Sequence, residues 1–212
     1  MIGVTITSPK FSKLAEEARE RFMRFTGLNC VVVHTQSEGN YAAKLELPKM
    51  FNQTVVYFDA DLWFIRKADL GAFNEQPEFL AVQDPGVHDP THFPFHDSRK
   101  LGIDVLKYFN SGFFIFNSRH KEAFDIAQKA MVQYKLKDFG EQSYLNYGVQ
   151  NTTTVKLISN TYNYIPLAEK YRARSMKIMS NPLTIHGAGY SQDIKLKAMQ
   201  HLEFKYTHNN VE

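Results

Sequence analysis

A short apolar run that ends in paired acids restricts this chain most: Thr54-Val55-Val56-Tyr57-Phe58-Asp59-Ala60-Asp61-Leu62-Trp63. The β-branched and aromatic residues Val55 to Phe58 read as a buried strand. The strand runs into two carboxylates separated by one small residue. Carboxylates are costly to bury unpaired, so a strand this apolar should not end in two of them without a cation nearby. Residues two apart on an extended chain point to the same side. Asp59 and Asp61 can therefore converge on one hard divalent ion, and Ala60 leaves room for a ligand. In an open α/β sheet, ligands gather at the carboxyl ends of strands. Other readings of the tripeptide stay open. It can be a solvated turn, or the site of a phosphotransferase that uses one Asp as nucleophile. A calcium EF-hand is excluded, because Leu62-Trp63-Phe64 supplies neither the further oxygen ligands nor the glycine that such a loop needs.

The 212 residues suit one domain, with enough chain for a proper core. A hydrophobic content of 43% with 14% aromatic excludes a disordered chain. A net charge of +3 is too small to call for a nucleic-acid partner. The single Cys30 excludes a disulfide framework and suits a reducing compartment. The first residues lack the basic start and apolar core of a secretion signal, so the expected location is cytoplasmic and not secreted. No stretch approaches the roughly 20 apolar residues of a membrane span.

Taken in order, Ile2 to Ile6 reads as a strand, and Ser8-Pro9 as an N-cap with proline at the first helical position. Phe11, Leu14, Ala15, Ala18, Phe22 and Phe25 keep helical spacing, and Gly27 closes that helix. Cys30 to Val33 reads as a second buried strand, which makes a parallel βαβ unit. Its first turn, Thr7-Ser8-Pro9-Lys10, has no glycine-rich phosphate loop, which argues against a dinucleotide fold or a P-loop. Tyr41 to Leu47 reads as a short helix carrying Lys44 and stopped or kinked at Pro48. Lys67 to Phe73 reads as a brief helix, and Phe79 to Gln83 as a strand ending in the turn Asp84-Pro85-Gly86.

His88, His92 and His96 invite a zinc reading, but Pro90 and Pro94 argue against a helix that would align them. The stretch is read as a loop over the site, its aromatics stacking on a sugar. Phe113 to Phe116 is a buried strand, and Gly112 before it marks a close backbone approach. Helices are expected over Arg119 to Tyr134, Ser143 to Tyr147 and Gln192 to Phe204. Short strands are expected over Lys156 to Ser159, Tyr162 to Ile165 and Pro182 to His186. The basic run Lys170 to Lys177 reads as a solvated face in preference to a site for an anionic partner. His186, ending a strand before Gly187-Ala188-Gly189, is a candidate third metal ligand with backbone N–H groups beside it for phosphate.

Six pieces then fall in a familiar order: Lys44-Leu45, Phe58-Asp59-Ala60-Asp61, Asp84-Pro85-Gly86, Phe109-Asn110-Ser111-Gly112, Gly140-Glu141-Gln142 with Leu145-Asn146, and Ile185-His186 with Gly189. Each is weak alone, and their agreement in order is strong. Over residues 1–195 the chain resembles the GT-A-fold glycosyltransferases of the glycogenin type, family eight. It is also similar to glycosyltransferases of large DNA viruses that act on capsid protein.

The resemblance implies an α/β fold, a single GT-A-type domain over residues 1–212 with a mixed, mostly parallel sheet flanked by helices. Residues 1–83 would form the nucleotide-binding half and 84–212 the sugar and acceptor half. It implies a UDP-sugar donor and Mn2+, with Mg2+ as substitute, held by Asp59, Asp61 and His186. That oxygen-rich set with one imidazole suits Mn2+. Lys44, Gly187 and Gly189 would face the diphosphate, and Thr5, Ile6 and Thr7 the uridine. Asp84, Asn110 and Ser111 would face the transferred sugar, with Glu141 and Gln142 beside the anomeric carbon. Asp84, Glu141 and Gln142 are thereby the catalytic candidates. A hexose or deoxyhexose would pass, with retention, to a glycan or protein-linked glycan acceptor. Further domains in a longer chain fit the same picture. Two features depart from the family. Glu141 stands where the family usually has Asp, and no Lys-Pro-Trp follows the late His, which leaves Lys195 as a stand-in. A non-catalytic sugar-nucleotide or glycan-binding domain is the remaining alternative.

Overall fold

A computed structural model describes residues 1–36, 41–136, 141–167, 181–191 and 194–208. Its main sheet is built on β3 (Val55–Phe58), the apolar run before the acids. β1 (Ile2–Thr7) lies parallel to β3 on one side and to β2 (Cys30–His34) on the other. β6 (Phe109–Phe116) runs antiparallel to β3 and to β5 (Phe79–Gln83), and β5 is parallel to β7 (Val155–Ile158). The order is β2-β1-β3-β6-β5-β7, a mixed and mostly parallel sheet. A second, two-stranded sheet pairs β4 (Leu62–Phe64) with β8 (Thr184–His186).

Strand alternation sends the residues of β3 to two cores. Val56 and Phe58 pack with α1 (Ser12–Thr26), β4 and α6 (Lys195–His208), through Leu14, Phe22, Trp63 and Leu202. The Phe22 ring stacks on Phe58 at 4.9 Å between centroids. Val55 and Tyr57 face the other core, under α4 (Lys121–Gln133) and α5 (Gln142–Thr152), through Phe114, Phe124 and Leu145. With both faces covered, the strand has no polar side, which is why it reads as a continuous apolar run.

The strands over 55–58 and 79–83 stand where the sequence places them. Gly27 ends α1 in a left-handed conformation at φ 73°, its N–H donating to the Met23 carbonyl. Several expectations are corrected. Ser8 makes no side-chain cap; Pro9–Phe11 is a 3-10 turn, and α1 starts only at Ser12. β2 is half exposed because it is the sheet's outer strand. Pro48 does not stop a helix. It sits in the first turn of α2 (Leu47–Met50), where a missing N–H costs nothing. The same holds for Pro94, so α3 (Phe93–Leu101) forms where a loop was expected. Over 67–73 only the 3-10 turn Gly71–Phe73 forms. Residues 162–165 are no strand; a 3-10 turn at Asn160–Tyr162 leads into irregular chain. β4 was not anticipated. The basic run 170–177, Gly140 and the expected helix start at Gln192 lie outside the described residues.

Candidate active site

The ladder of β3 continues one residue further, the Asp59 N–H donating to the Gly112 carbonyl at 2.9 Å. The Leu62 N–H then donates back to the Asp59 carbonyl at 2.9 Å, so Asp59 to Leu62 is a tight turn into β4. Antiparallel pairing sets His186 opposite Leu62, and the Gly187 N–H donates to the Asp61 carbonyl at 2.8 Å. The backbone alone thus brings a late histidine back to the paired acids. Gly112 lets the ring fit: a Cβ there would lie 2.3 Å from His186 Cε1. This is the close approach expected at that glycine.

One atom from each of Asp59, Asp61 and His186 lies within 4.8 Å of the others. His186 Nε2 stands 3.3 Å from Asp61 Oδ1 and 3.7 Å from Asp59 Oδ2. The opposite atom of each side chain is anchored. Asp59 Oδ1 takes the Lys44 ammonium at 2.9 Å and the Tyr57 hydroxyl at 2.7 Å. Asp61 Oδ2 takes the Lys195 ammonium at 2.6 Å. His186 Nδ1 meets Asn163 Oδ1 at 2.8 Å.

A chain of amides sets the direction of that last bond. The Asp84 carboxylate can only accept, so Asn110 turns its NH2 to Asp84 Oδ2, at 3.1 Å. Asn110 Oδ1 then accepts from the Gly112 N–H and from Asn163 Nδ2, both at 2.9 Å. Asn163 is left presenting its oxygen, so His186 donates from Nδ1–H. In the neutral ring the lone pair therefore sits on Nε2, toward the two aspartates, as a metal ligand requires.

Electrostatics agree with this geometry. Burial would push the Asp61 carboxyl up, but His186, when its ring carries a second proton, and Lys195 outweigh it and hold it well below the usual carboxylate range. Burial would likewise push the Lys44 ammonium down; Asp59 and Glu141 outweigh it and raise it above the usual lysine range. Burial, with Asp59 second, pushes the Tyr57 hydroxyl well up, so it stays a donor. Two carboxylates and one imidazole with a fixed lone pair fit a divalent ion of the Mn2+ or Mg2+ kind. Among the described residues this is the one such grouping, so His88, His92 and His96 make no metal site.

Other expected residues join the same network. Glu141, 2% exposed, accepts from Lys44 Nζ at 2.7 Å and from the Ser111 hydroxyl at 2.9 Å. Gln142 accepts from the Ser111 N–H at 2.9 Å and donates to Asp84 Oδ2 at 3.0 Å. Lys44 differs from its expected place: its ammonium points inward, bridging the half-buried Asp59 and the buried Glu141, whose charge needs a partner there. The Gly187 N–H also differs, being taken by the Asp61 carbonyl and not offered to a phosphate. Gly189 stands exposed beyond it at φ 89°. Ala60 is half-buried at the turn between the aspartates. Thr5, Ile6 and Thr7 end β1, past its pairing with β3 and alongside β2, with Thr5 and Thr7 buried; none of the three bonds to the cluster. Sequence reasoning missed Asn163 and the Tyr57 hydroxyl, and had Lys195 only as a stand-in. Asn163 lies between Tyr162 and Tyr164, and an amide between two tyrosines is the one signal it gave.

The model of glycosyl transferase family 8 matches residues 10–191. The chain belongs to glycosyl transferase family 8. That membership replaces the phosphotransferase alternative for the paired acids. This family 8 domain shares the GT-A fold of solved glycosyltransferases. It is similar to the WbbM bifunctional glycosyltransferase in its apo form, with a TM-score of 0.64 at 13% identity over 96% of this chain and 51% of that one. It is similar to apo GlyE of Streptococcus pneumoniae, at 0.60 and 14% over 93% of this chain and 59% of that one. A glycosyltransferase involved in glycosylation of the major capsid of PBCV-1 gives 0.62 and 11%, over 94% and 98%. The family 8 domain thus spans between 51% and 59% of the length of the first two. No curated protein matches it in sequence. Among the described residues no helix is long and apolar enough to cross a membrane.

Proposed function

We propose that this family 8 domain transfers a hexose or deoxyhexose from a UDP-sugar to a glycan or protein-linked glycan, with retention and with Mn2+ as its metal. The observation that carries this reading is the convergence of Asp59, Asp61 and His186, each anchored from behind, where β3 ends. These three residues would hold the ion. When bound, Mn2+ supplies Lewis-acid stabilisation for the charge that gathers on the departing diphosphate. The chain's own groups do the rest. Thr5, Ile6 and Thr7, at the end of β1, line the uridine side, and Gly189 meets the diphosphate. Asp84, Asn110 and Ser111 orient the transferred sugar.

Glu141 has its charge balanced in the ground state by Lys44. As the sugar acquires positive character, the buried carboxylate stabilises it across a site of low dielectric. Lys44 ties Glu141 to Asp59 through two ion pairs, which links the sugar side of the site to the metal side. In this reading residues 1–83 are the nucleotide half and 84–212 the sugar half. The single free thiol supports a cytoplasmic setting. The similarity to the PBCV-1 protein supports a protein-linked acceptor.

A panel of UDP-, GDP- and dTDP-sugars with Mn2+ tests the reading. UDP should raise the melting temperature with Mn2+ and not without it. Slow hydrolysis of one UDP-sugar, releasing the α-anomer from an α-linked donor, should follow. No shift with any UDP species would sink the donor assignment, and a shift with no turnover would leave a binding domain.

A further inference from the structure

Asp97, Ser143 and Tyr108 lie buried behind Gln142 and Asp84, outside the reading above. Asp97 stands on α3 and is 1% exposed. Aspartate is a poor helix former and a carboxylate is costly to bury, so neither helix preference nor apolar packing accounts for it there. Its Oδ2 accepts from the Ser143 hydroxyl at 2.5 Å. Ser143, in the first turn of α5, has one hydroxyl proton to give. With that proton turned to Asp97, the Ser143 oxygen accepts from the Tyr108 hydroxyl, at 2.6 Å. Burial pushes the Tyr108 phenol well above its usual range, so it stays a donor.

Tyr108 directly precedes β6, and its carbonyl accepts from the Asp84 N–H at 3.1 Å. Asp84 Oδ2 accepts from Gln142 Nε2 at 3.0 Å, and Gln142 is the chain neighbour of Ser143. The bonds therefore close a circuit: Ser143 to Tyr108, Tyr108 to Asp84, Asp84 to Gln142, and along the chain to Ser143. Asn146, one turn on, makes a second tie to β6, its amide bonding the Phe109 N–H and the Phe109 carbonyl at 2.9 Å each. Gln142, Ser143 and Asn146 are thus polar side chains that α5 buries at 6% exposure or less. A buried polar network adds little net stability, but with its members paired it fixes one geometry.

From this we propose that Asp97 is a positioning residue for glycosyl transfer: through Ser143 and Tyr108 it fixes the first turn of α5, and with it the place of Glu141 and Gln142 against Ser111 and Asp84. Without an acceptor at position 97 the Ser143 proton turns to Tyr108, and Tyr108 loses its own acceptor. The first turn of α5 then has two arrangements, and Glu141 and Gln142 divide their time between them. A misplacement of about 1 Å at such groups can cost ~10²-fold in rate. This role deepens the glycosyl-transfer reading and rests on it.

Asp97→Leu, Asp97→Asn and Tyr108→Phe test it on the full chain with UDP, Mn2+ and a donor sugar that turns over. Asp97→Leu and Tyr108→Phe should lower kcat by about tenfold or more while the donor KM moves by less than about twofold. An asparagine oxygen still accepts from Ser143, so Asp97→Asn should restore kcat to within about twofold to threefold of wild type. Combining Asp97→Leu with Tyr108→Phe should cost little beyond either alone, since both act through Ser143. In nitrogen-15 NMR the Gln142 side-chain NH2 pair should shift in Asp97→Leu and in Tyr108→Phe and stay in place in Asp97→Asn. Should Asp97→Leu fail to fold, Tyr108→Phe, which removes a single oxygen, carries the same readouts. An unmoved Gln142 pair, a donor KM that rises as far as kcat falls, or a loss in Asp97→Asn as deep as in Asp97→Leu would overturn the proposal. If no donor turned over in the wild type while the Gln142 pair shifted as stated, the hold on Gln142 would stand and the glycosyl-transfer reading would fall.

Discussion

The cluster of Asp59, Asp61 and His186 and the neighbouring cleft between β5 and β7 are built on opposite plans. In the cluster every ligand side chain is held from behind: Asp59 by Lys44 and Tyr57, Asp61 by Lys195, His186 by Asn163. In the cleft, Asn160 and His88 have no such commitment to a described side chain. Prepaired groups cost little reorganisation when charge develops, which suits the reacting centre. The two regions adjoin at Asp84 and Asn163, which line the cleft and belong to the chain of amides that reaches His186.

The largest effect should come from the cluster. Asp61→Asn removes one ligand charge and the partner of Lys195. Transfer should fall by about 10²–10³-fold or more, and the Mn2+-dependent UDP shift should vanish while the far-UV spectrum is kept. Wild-type turnover in that variant, with metal controlled, would break the comparison. Glu141→Gln comes next. Transfer should drop by about 10²-fold, with UDP affinity nearly unchanged. Stability should fall by about 1–3 kcal/mol, because Lys44 keeps Asp59 but loses an ionic partner. Equal losses of UDP affinity and rate would make Glu141 a wall of the nucleotide pocket.

Asp84→Asn sharpens the comparison, since it touches neither the ion nor the aspartates. It removes the obligate acceptor that orients Asn110 and Asn163. Nitrogen-15 NMR of His186 should show the hydrogen spread over both ring positions, and metal affinity should fall by roughly 10–100-fold. A single Nδ1–H tautomer in the variant would mean that the relay does not set the ring.

Much of the cluster was legible, and the reason is local. The buried strand at 55–58 and the acids after it follow from residue types in sequence. His186 was legible as the end of an apolar strand before glycines. The inward turn of Lys44 was not, because it depends on Glu141, whose place is set by α5 and far from Lys44 in the chain. Asn163 was not legible either, since irregular chain has no periodicity to read. The helix at 93–101 was missed because a proline in a first turn looks like a breaker until the turn is known. The half-buried β2 was misread because apolar composition does not tell an inner strand from an edge.

Smaller effects lie away from both regions and act as controls. His120 accepts the Asn117 N–H on Nδ1 and meets the Pro77 carbonyl with Nε2, both at 3.1 Å, so the fold needs it neutral. Burial, helped by Arg119, lowers its pKa below the ordinary 6.5. The unfolded chain therefore takes the proton first. The stabilisation is intact above that value and is lost as pH falls through the folded-state pKa. The melting temperature should decline over that window, and His120→Gln should flatten the decline. At the small end, burial pushes the Cys30 thiol up to about 12. Alkylation at neutral pH should be slow until the chain is denatured.

The central claim is that one divalent ion is held by Asp59, Asp61 and His186 beside a nucleotide diphosphate. Electron spin-echo spectroscopy of the Mn2+–UDP complex reads it most directly. The account predicts a nitrogen coupling from a bound imidazole that disappears in His186→Ala. Absence of that coupling in the wild-type complex, or its survival in His186→Ala, would contradict it.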